Sequence, residues 1–168
     1  MVEFKFEIKK GSRKVIAKLD HWLKATPKAV TDELNAIGLD VRNNIMTNMK
    51  KTKKVRRKKG EDKKSHKASL PGNPPAIDSG RLVNSFEILS RKRSVEIGTN
   101  VIYAKWLEFG TKPYTIKTKK KHGLSDGTNF FGKKVQHPGI AARPFLEGGM
   151  KGIDIKKRII EALGRGTK

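Results

Sequence analysis

The stretch that decides the fold is "TPKAVTDELNAIGLDVRNNIMTNM", residues 26–49. Its apolar side chains recur at Val30, Leu34, Ile37, Val41, Ile45 and Met49, every three or four residues, which is the core stripe of one long helix. Thr26 reads as the N-cap, with Pro27 at the first helical position, where a missing N–H is harmless. A helix of that length has a whole apolar side to cover. The flanking segments must supply the opposing surface.

Upstream, Val2, Phe4, Phe6 and Ile8 alternate with Glu3, Lys5, Glu7 and Lys9, the pattern of a half-buried strand. Gly11 and Ser12 end it and offer a cap. Val15, Ile16, Leu19, Trp22 and Leu23 then share one side of an expected helix. Downstream the period changes to two. Residues 82–89, with Phe86 and Ile88 on one face, read as a strand, residues 91–93 as a turn, and residues 94–99 as the strand returning in a hairpin.

"VIYAKWLEFG", residues 101–110, is expected to be a short helix capped by Asn100 and closed by Gly110, with Ile102, Trp106 and Phe109 on its stripe. Trp106 is read as core. Tyr103 and Glu108 fall off that stripe, placed to reach a neighbouring subunit or to close a polar contact. "YTIKTK" is a further strand, "NFFGKKVQ" a hairpin, and Ile153, Ile159, Ile160 and Leu163 mark a final amphipathic helix. Pro144 is expected at the first position of a helix, Phe145 and Leu146 as its apolar anchor, and Arg143 as a tie to a carboxylate. The order β, α, β, β, α, β, α predicts an α+β fold: an antiparallel sheet with a long N-terminal helix and a C-terminal helix packed on one face. The 168 residues make a single domain.

The charge balance is extreme, 39 Lys and Arg against 16 Asp and Glu, a net +23. Such a chain repels itself unless a polyanion is near, and nucleic acid is the first choice of polyanion. Residues 50–67, "KKTKKVRRKKGEDKKSHK", hold Lys50, Lys51, Lys53, Lys54, Arg56, Arg57, Lys58, Lys59, Lys63, Lys64 and Lys67 against only Glu61 and Asp62. With Val55 the one clearly apolar residue, this segment buries too little to offset the cost of ordering it. A mobile basic loop over about residues 50–77 is expected, continued by the proline- and glycine-rich "ASLPGNPPAIDSG". No apolar run approaches the roughly 18 residues a spanning helix needs, and "MVEFKFEIKK" does not read as a signal peptide, so no membrane is expected. The absence of cysteine excludes disulfides and thiolate metal sites and fits a reducing cytoplasm.

Catalytic signals are sparse. His21, His66, His122 and His137 stand alone, without a second ligand at metal spacing, so no metal and no cofactor is expected. No phosphate-cradling Gly-rich run ends in Lys and Ser or Thr. Asp78 and Ser79 read as a turn or a cap, and Glu87 and Glu96 as a solvated strand face where a magnesium nuclease would need clustered carboxylates. The reading is of a non-enzyme.

Three segments carry a sharper signal: "LPGNPPAIDSGRLVNSF", "VEIGTNVIYAKWLEFGT" and "VQHPGIAARPFL". In this order and spacing they resemble the tail-component family of tailed bacteriophages and prophages, small proteins of the neck and of tail completion. The resemblance rests on Gly80, Leu82, Gly98, Tyr103, Trp106, Glu108, Phe109, Gly110, His137, Pro138, Gly139, Arg143, Pro144 and Phe145. It implies a virion structural protein, assembled in the bacterial cytoplasm, that forms a homo-oligomeric ring completing the head-proximal tail. Its implied partners are itself, other neck and tail proteins, and double-stranded DNA on the ring axis, touched without sequence readout. The basic loop and the "GGMKG" of residues 148–152 depart from the family pattern. The alternative from the charge alone is a nucleic-acid-binding module using the basic loop, although that loop lacks an aromatic residue for base stacking.

Overall fold

The computed structural model describes residues 4–10, 15–21, 28–52, 68–118, 123–125 and 128–165. The long helix is α1, Lys28–Lys51. Its stripe of Val30, Leu34, Ile37, Val41, Ile45 and Met49 is buried along the whole length, each residue at most 2% exposed. Lys50 and Lys51 occupy its last turn, where the partial negative charge of the helix end favours cations.

One side of α1 faces a four-stranded antiparallel sheet of order β1-β2-β4-β3, built from β1 (Phe4–Lys10), β2 (Val15–His21), β3 (Phe86–Arg91) and β4 (Ser94–Thr99). The class is α+β. Phe86, Val95 and Ile97 of the sheet join the buried cluster. A side chain at Gly38 of α1 would collide with Val95, so this glycine sets how closely helix and sheet approach. Arg42 of α1 adds a hydrogen bond from Nε to the Phe86 carbonyl at 3.0 Å.

The expected helix at residues 15–23 is instead β2, which pairs with β1 on one side and β4 on the other. Val15, Ala17 and Leu19 also alternate, so the segment satisfies both periods, and two waiting strand edges decide for the sheet. Trp22 and Leu23, with the proposed caps at Gly11, Ser12, Thr26 and Pro27, lie outside the described residues. β3 begins at Phe86, four residues later than expected, because residues 83–85 form a 3₁₀ turn that buries Val83.

The other side of α1 is covered from the C-terminal end of the chain. The expected single last helix is two: α3 (Leu146–Met150) and α4 (Ile155–Arg165), broken at Gly152, whose φ is +84°. Ile159 and Ala162 face the core, whereas Ile160 is 51% exposed. Arg158 fixes α4 to α1 by donating to Glu33 Oε1 at 2.7 Å and to Asp40 Oδ2 at 2.6 Å, and Arg165 donates to Glu33 Oε2 at 2.7 Å. Burial would raise the Glu33 carboxyl, but the two guanidiniums hold it below its usual range. Whatever stability this cluster adds is therefore present above the unfolded carboxylate's value and is lost as pH falls through the lowered one.

Gly149 is the contact point of α3 with α1. A Cβ there would run into Ile45 and would sit 3.0 Å from the Val41 carbonyl, a backbone atom that cannot step aside. Asn44 and Asn48 donate to the carbonyls of Gly149 and Gly148 at 3.1 and 3.2 Å. Gly149→Ala is expected to cost about 1–3 kcal/mol by overpacking, read by urea unfolding, whereas Gly148→Ala, which meets only the end of Asn48, should cost much less.

Candidate functional site

The segments that carry the family resemblance are separate in the chain and meet around Phe145. Residues 104–109 form α2 (Ala104–Phe109), closed by Gly110 at φ 68°. It is too short to hold itself and depends on what it touches. Its buried positions are Ala104 and Glu108, one helical turn apart, not the expected stripe. Ile102 is 68% exposed and Trp106 40% exposed, so the tryptophan expected in the core lies on the surface, with the Lys105 ammonium 5.2 Å from its ring centre. The reason is Glu108, which turns the helix by taking the inner place.

Glu108 is 5% exposed, and its Oε2 accepts the backbone N–H groups of Phe145 at 2.8 Å and Leu146 at 3.2 Å. It therefore satisfies from outside the donors that α3 leaves open at its start. Burial pushes the Glu108 carboxyl above its ordinary value; the N–H groups of Phe145, Leu146 and Glu147 partly offset this, and the Glu147 charge adds to the rise. Of the two roles expected for Glu108, the polar contact is the one found. Tyr103, at the N-cap position of α2, provides no side-chain cap, and neither does Asn100, where one was expected.

Around this carboxylate the chain is stitched by backbone bonds. Arg143 N–H donates to the Leu107 carbonyl at 2.6 Å, and Thr111 and Ile140 bridge to one another. Gly110 and Gly139 bracket that bridge. A Cβ at Gly110 would lie 2.6 Å from the Ile140 carbonyl, and one at Gly139 would strike the Thr111 carbonyl; both glycines have positive φ. His137 accepts the Gly139 N–H on Nδ1 at 3.0 Å and stacks on Tyr114 at 4.8 Å; Pro138, between them, is exposed.

Arg143 meets carbonyls where a carboxylate was expected: Nε donates to that of Ser69 and Nη1 to that of Ala141, both at 3.1 Å. A guanidinium fork suits two carbonyls as well as one carboxylate. Pro144 stands before the helix, not at its first position, since α3 starts at Leu146 with Phe145 as N-cap. Phe145 is fully buried and meets Phe86 edge-on at 5.5 Å. Leu82 is buried in the same cluster, Phe109 packs against it, Gly80 turns the chain at φ 80°, and Gly98 sits within β4 opposite Glu87.

The basic residues divide differently. Lys50 and Lys51 are exposed on α1; Lys53, Lys54, Arg56, Arg57, Lys58, Lys59, Lys63 and Lys64 lie outside the described residues. Residues 68–77 are an irregular connection with Ser69 and Ala76 buried. Among the described residues no group of three or more His, Asp or Glu could hold a metal ion, and no helix is long and apolar enough to cross a membrane.

The "NFFGKKVQ" segment does not fold on itself as expected. β7 (Phe130–Gly132) pairs with β6 (Leu124–Ser125), and β8 (Lys134–His137) pairs with β5 (Tyr114–Lys117). The β6–β7 ladder lies within the chain between β5 and β8, and we call the stretch from β5 to β8 the arm. Comparison with family models, with curated proteins and with solved structures found no match.

Proposed function

We propose that this chain is a structural protein of a bacteriophage or prophage virion, a ring-forming component that completes the head-proximal tail and helps join it to the head. One observation supports the reading most directly. The three segments that resemble the tail-component family, separated in sequence, converge on one node: Phe86 from the first, Leu107 and Glu108 from the second, Arg143 and Phe145 from the third. Residues that hold a fold together from three separate places are the ones a shared fold would have to keep.

A closed ring repeats a heterologous contact, so each subunit presents two different patches. The outer edge of the β3–β4 hairpin, with Leu89 51% exposed, and α4, with Ile160 51% exposed, are the candidates. Rings of the purified protein in negative-stain micrographs without nucleic acid, at a matching mass by mass photometry, are the expected result. A monomer that assembles only on DNA or RNA would replace this reading with the nucleic-acid-binding module, which the +23 charge favours.

In the ring, DNA on the axis would meet the basic segment through phosphates alone. Changing Lys53, Lys54, Arg56, Arg57, Lys58 and Lys59 to Gln is expected to weaken binding equally for unrelated duplexes. The plot of log affinity against log salt should flatten by up to roughly 0.9 for every phosphate that is no longer neutralised. Rings and melting temperature should be unchanged. Unaltered affinity and salt slope would remove DNA binding from the segment.

A further inference from the structure

The arm formed by β5 to β8 poses a physical problem. None of its described residues is buried, and Tyr114 is 48%, Phe131 50% and Phe130 70% exposed, the last lying over Gly123. A lone two-stranded ribbon is marginal in water, and exposed phenylalanines on it cost solubility unless something covers them. The arm carries Lys117, Lys133 and Lys134 and no carboxylate among its described residues, so its complement is acidic as well as apolar.

Such a surface exists on the same molecule. The face of β3 and β4 turned away from α1 bears a shallow groove of about 310 Å³ lined by Glu87, Leu89, Glu96, Gly98 and Asn100 among others. β3 is an edge strand of the sheet, so its outer backbone groups are open to a further strand. Glu96 is engaged by Arg91 at 3.7 Å. Glu87 is exposed at the edge itself. In a chain with only 16 acidic residues, a carboxylate beside a half-exposed leucine on an open strand edge is a specific feature.

We infer that the arm of one copy docks on the β3 edge of the next, with Phe131 against Leu89 and Lys133 or Lys134 against Glu87. This rests on the ring reading and puts the arm, in place of α4, opposite the hairpin edge: arm and groove are different, complementary, and both on every subunit. Strand addition at an open edge fixes the register by main-chain bonds while the side chains choose the partner.

The chain has no cysteine, which makes position-specific cross-linking clean. Chains carrying Phe131→Cys and chains carrying Leu89→Cys, mixed and treated with bismaleimidoethane, should give a covalent dimer that neither gives alone. The double variant should give a ladder of multimers. Pairing Phe131→Cys with Leu39→Cys, on an exposed position of α1, should give none. Lys133→Glu with Lys134→Glu should cut the dimer yield at least several-fold, and Glu87→Lys on the other chain should restore it. None of these side chains is buried, so melting temperatures should stay put.

If wild-type rings form and the mixed chains cross-link no more than the Leu39 control, the arm inference is overturned while the ring stands. If the dimer forms but wild-type protein never exceeds a pairwise complex, the contact stands and the ring falls. If cross-links are absent and Lys133→Gln with Lys134→Gln instead lowers duplex DNA affinity, the arm is a nucleic-acid element and the inference is overturned.

Discussion

Phe145→Ala is expected to lower the unfolding free energy by about 3–5 kcal/mol, the largest single effect predicted for this chain. The ring is fully buried, it meets Phe86 of β3 edge-on, and it stands at the start of α3, so one side chain joins the sheet to the layer behind α1. Removing it leaves a cavity in the buried core cluster, beside Phe86. Urea unfolding followed by circular dichroism gives the number. A loss below about 1 kcal/mol accompanied by loss of oligomers would place the phenylalanine at a subunit contact instead.

Glu108→Ala should cost about 2–4 kcal/mol, because the buried N–H groups of Phe145 and Leu146 would both be left without their acceptor. Glu108→Gln keeps an acceptor oxygen and should cost less. The pH dependence separates charge from hydrogen bonding. Burial raises the folded-state carboxyl above its unfolded value, so the stability Glu108 contributes is complete below the unfolded value and fades as pH rises through the folded one. The deficit of the Gln variant against wild type should therefore shrink as pH rises from below the ordinary carboxylate value through the raised one. A deficit that grows with pH would mean that the charged form is the better cap.

How much of the fold is legible in the sequence depends on the kind of interaction. The α1 stripe is readable because burial along a long helix imposes one period over many turns, and all six of its residues are in the core. β2 is open to misreading because Val15, Ile16 and Leu19 fit one side of a short helix while Val15, Ala17 and Leu19 alternate as in a strand, and the choice belongs to β1 and β4, its neighbours in space. In α2 the rule that aromatics go inside fails for a local reason. Glu108 has two donors to satisfy at a distant helix start, and taking the inner position moves Trp106 outward. Nothing within residues 101–110 announces those donors.

The ties between α1 and the C-terminal helices are likewise invisible in the sequence, since Glu33 and Arg158 are 125 residues apart and each looks like an ordinary surface charge. The pair Gly148–Gly149 is the one hint. A double glycine inside an expected helix asks for a close approach, and α1 is what approaches. The arm is hidden for another reason: residues 114–119 read as a strand and residues 129–136 as a hairpin of their own, whereas β7 and β8 pair with strands earlier in the chain.

The two ends of the basic segment are each fastened to the body without it. On one side Thr52 bonds twice to the Asn48 carbonyl, and Asn48 reaches Gly148. On the other, Ser69 receives Arg143, and Gly72 N–H donates to the Ala142 carbonyl. Both anchorages belong to the same C-terminal stretch. Residues 53–67 thus span two points that the fold has already fixed, and doubling the length of such a span adds only about 0.6 kcal/mol of closure entropy. Selection can lengthen, shorten or recharge this segment almost independently of selection for folding.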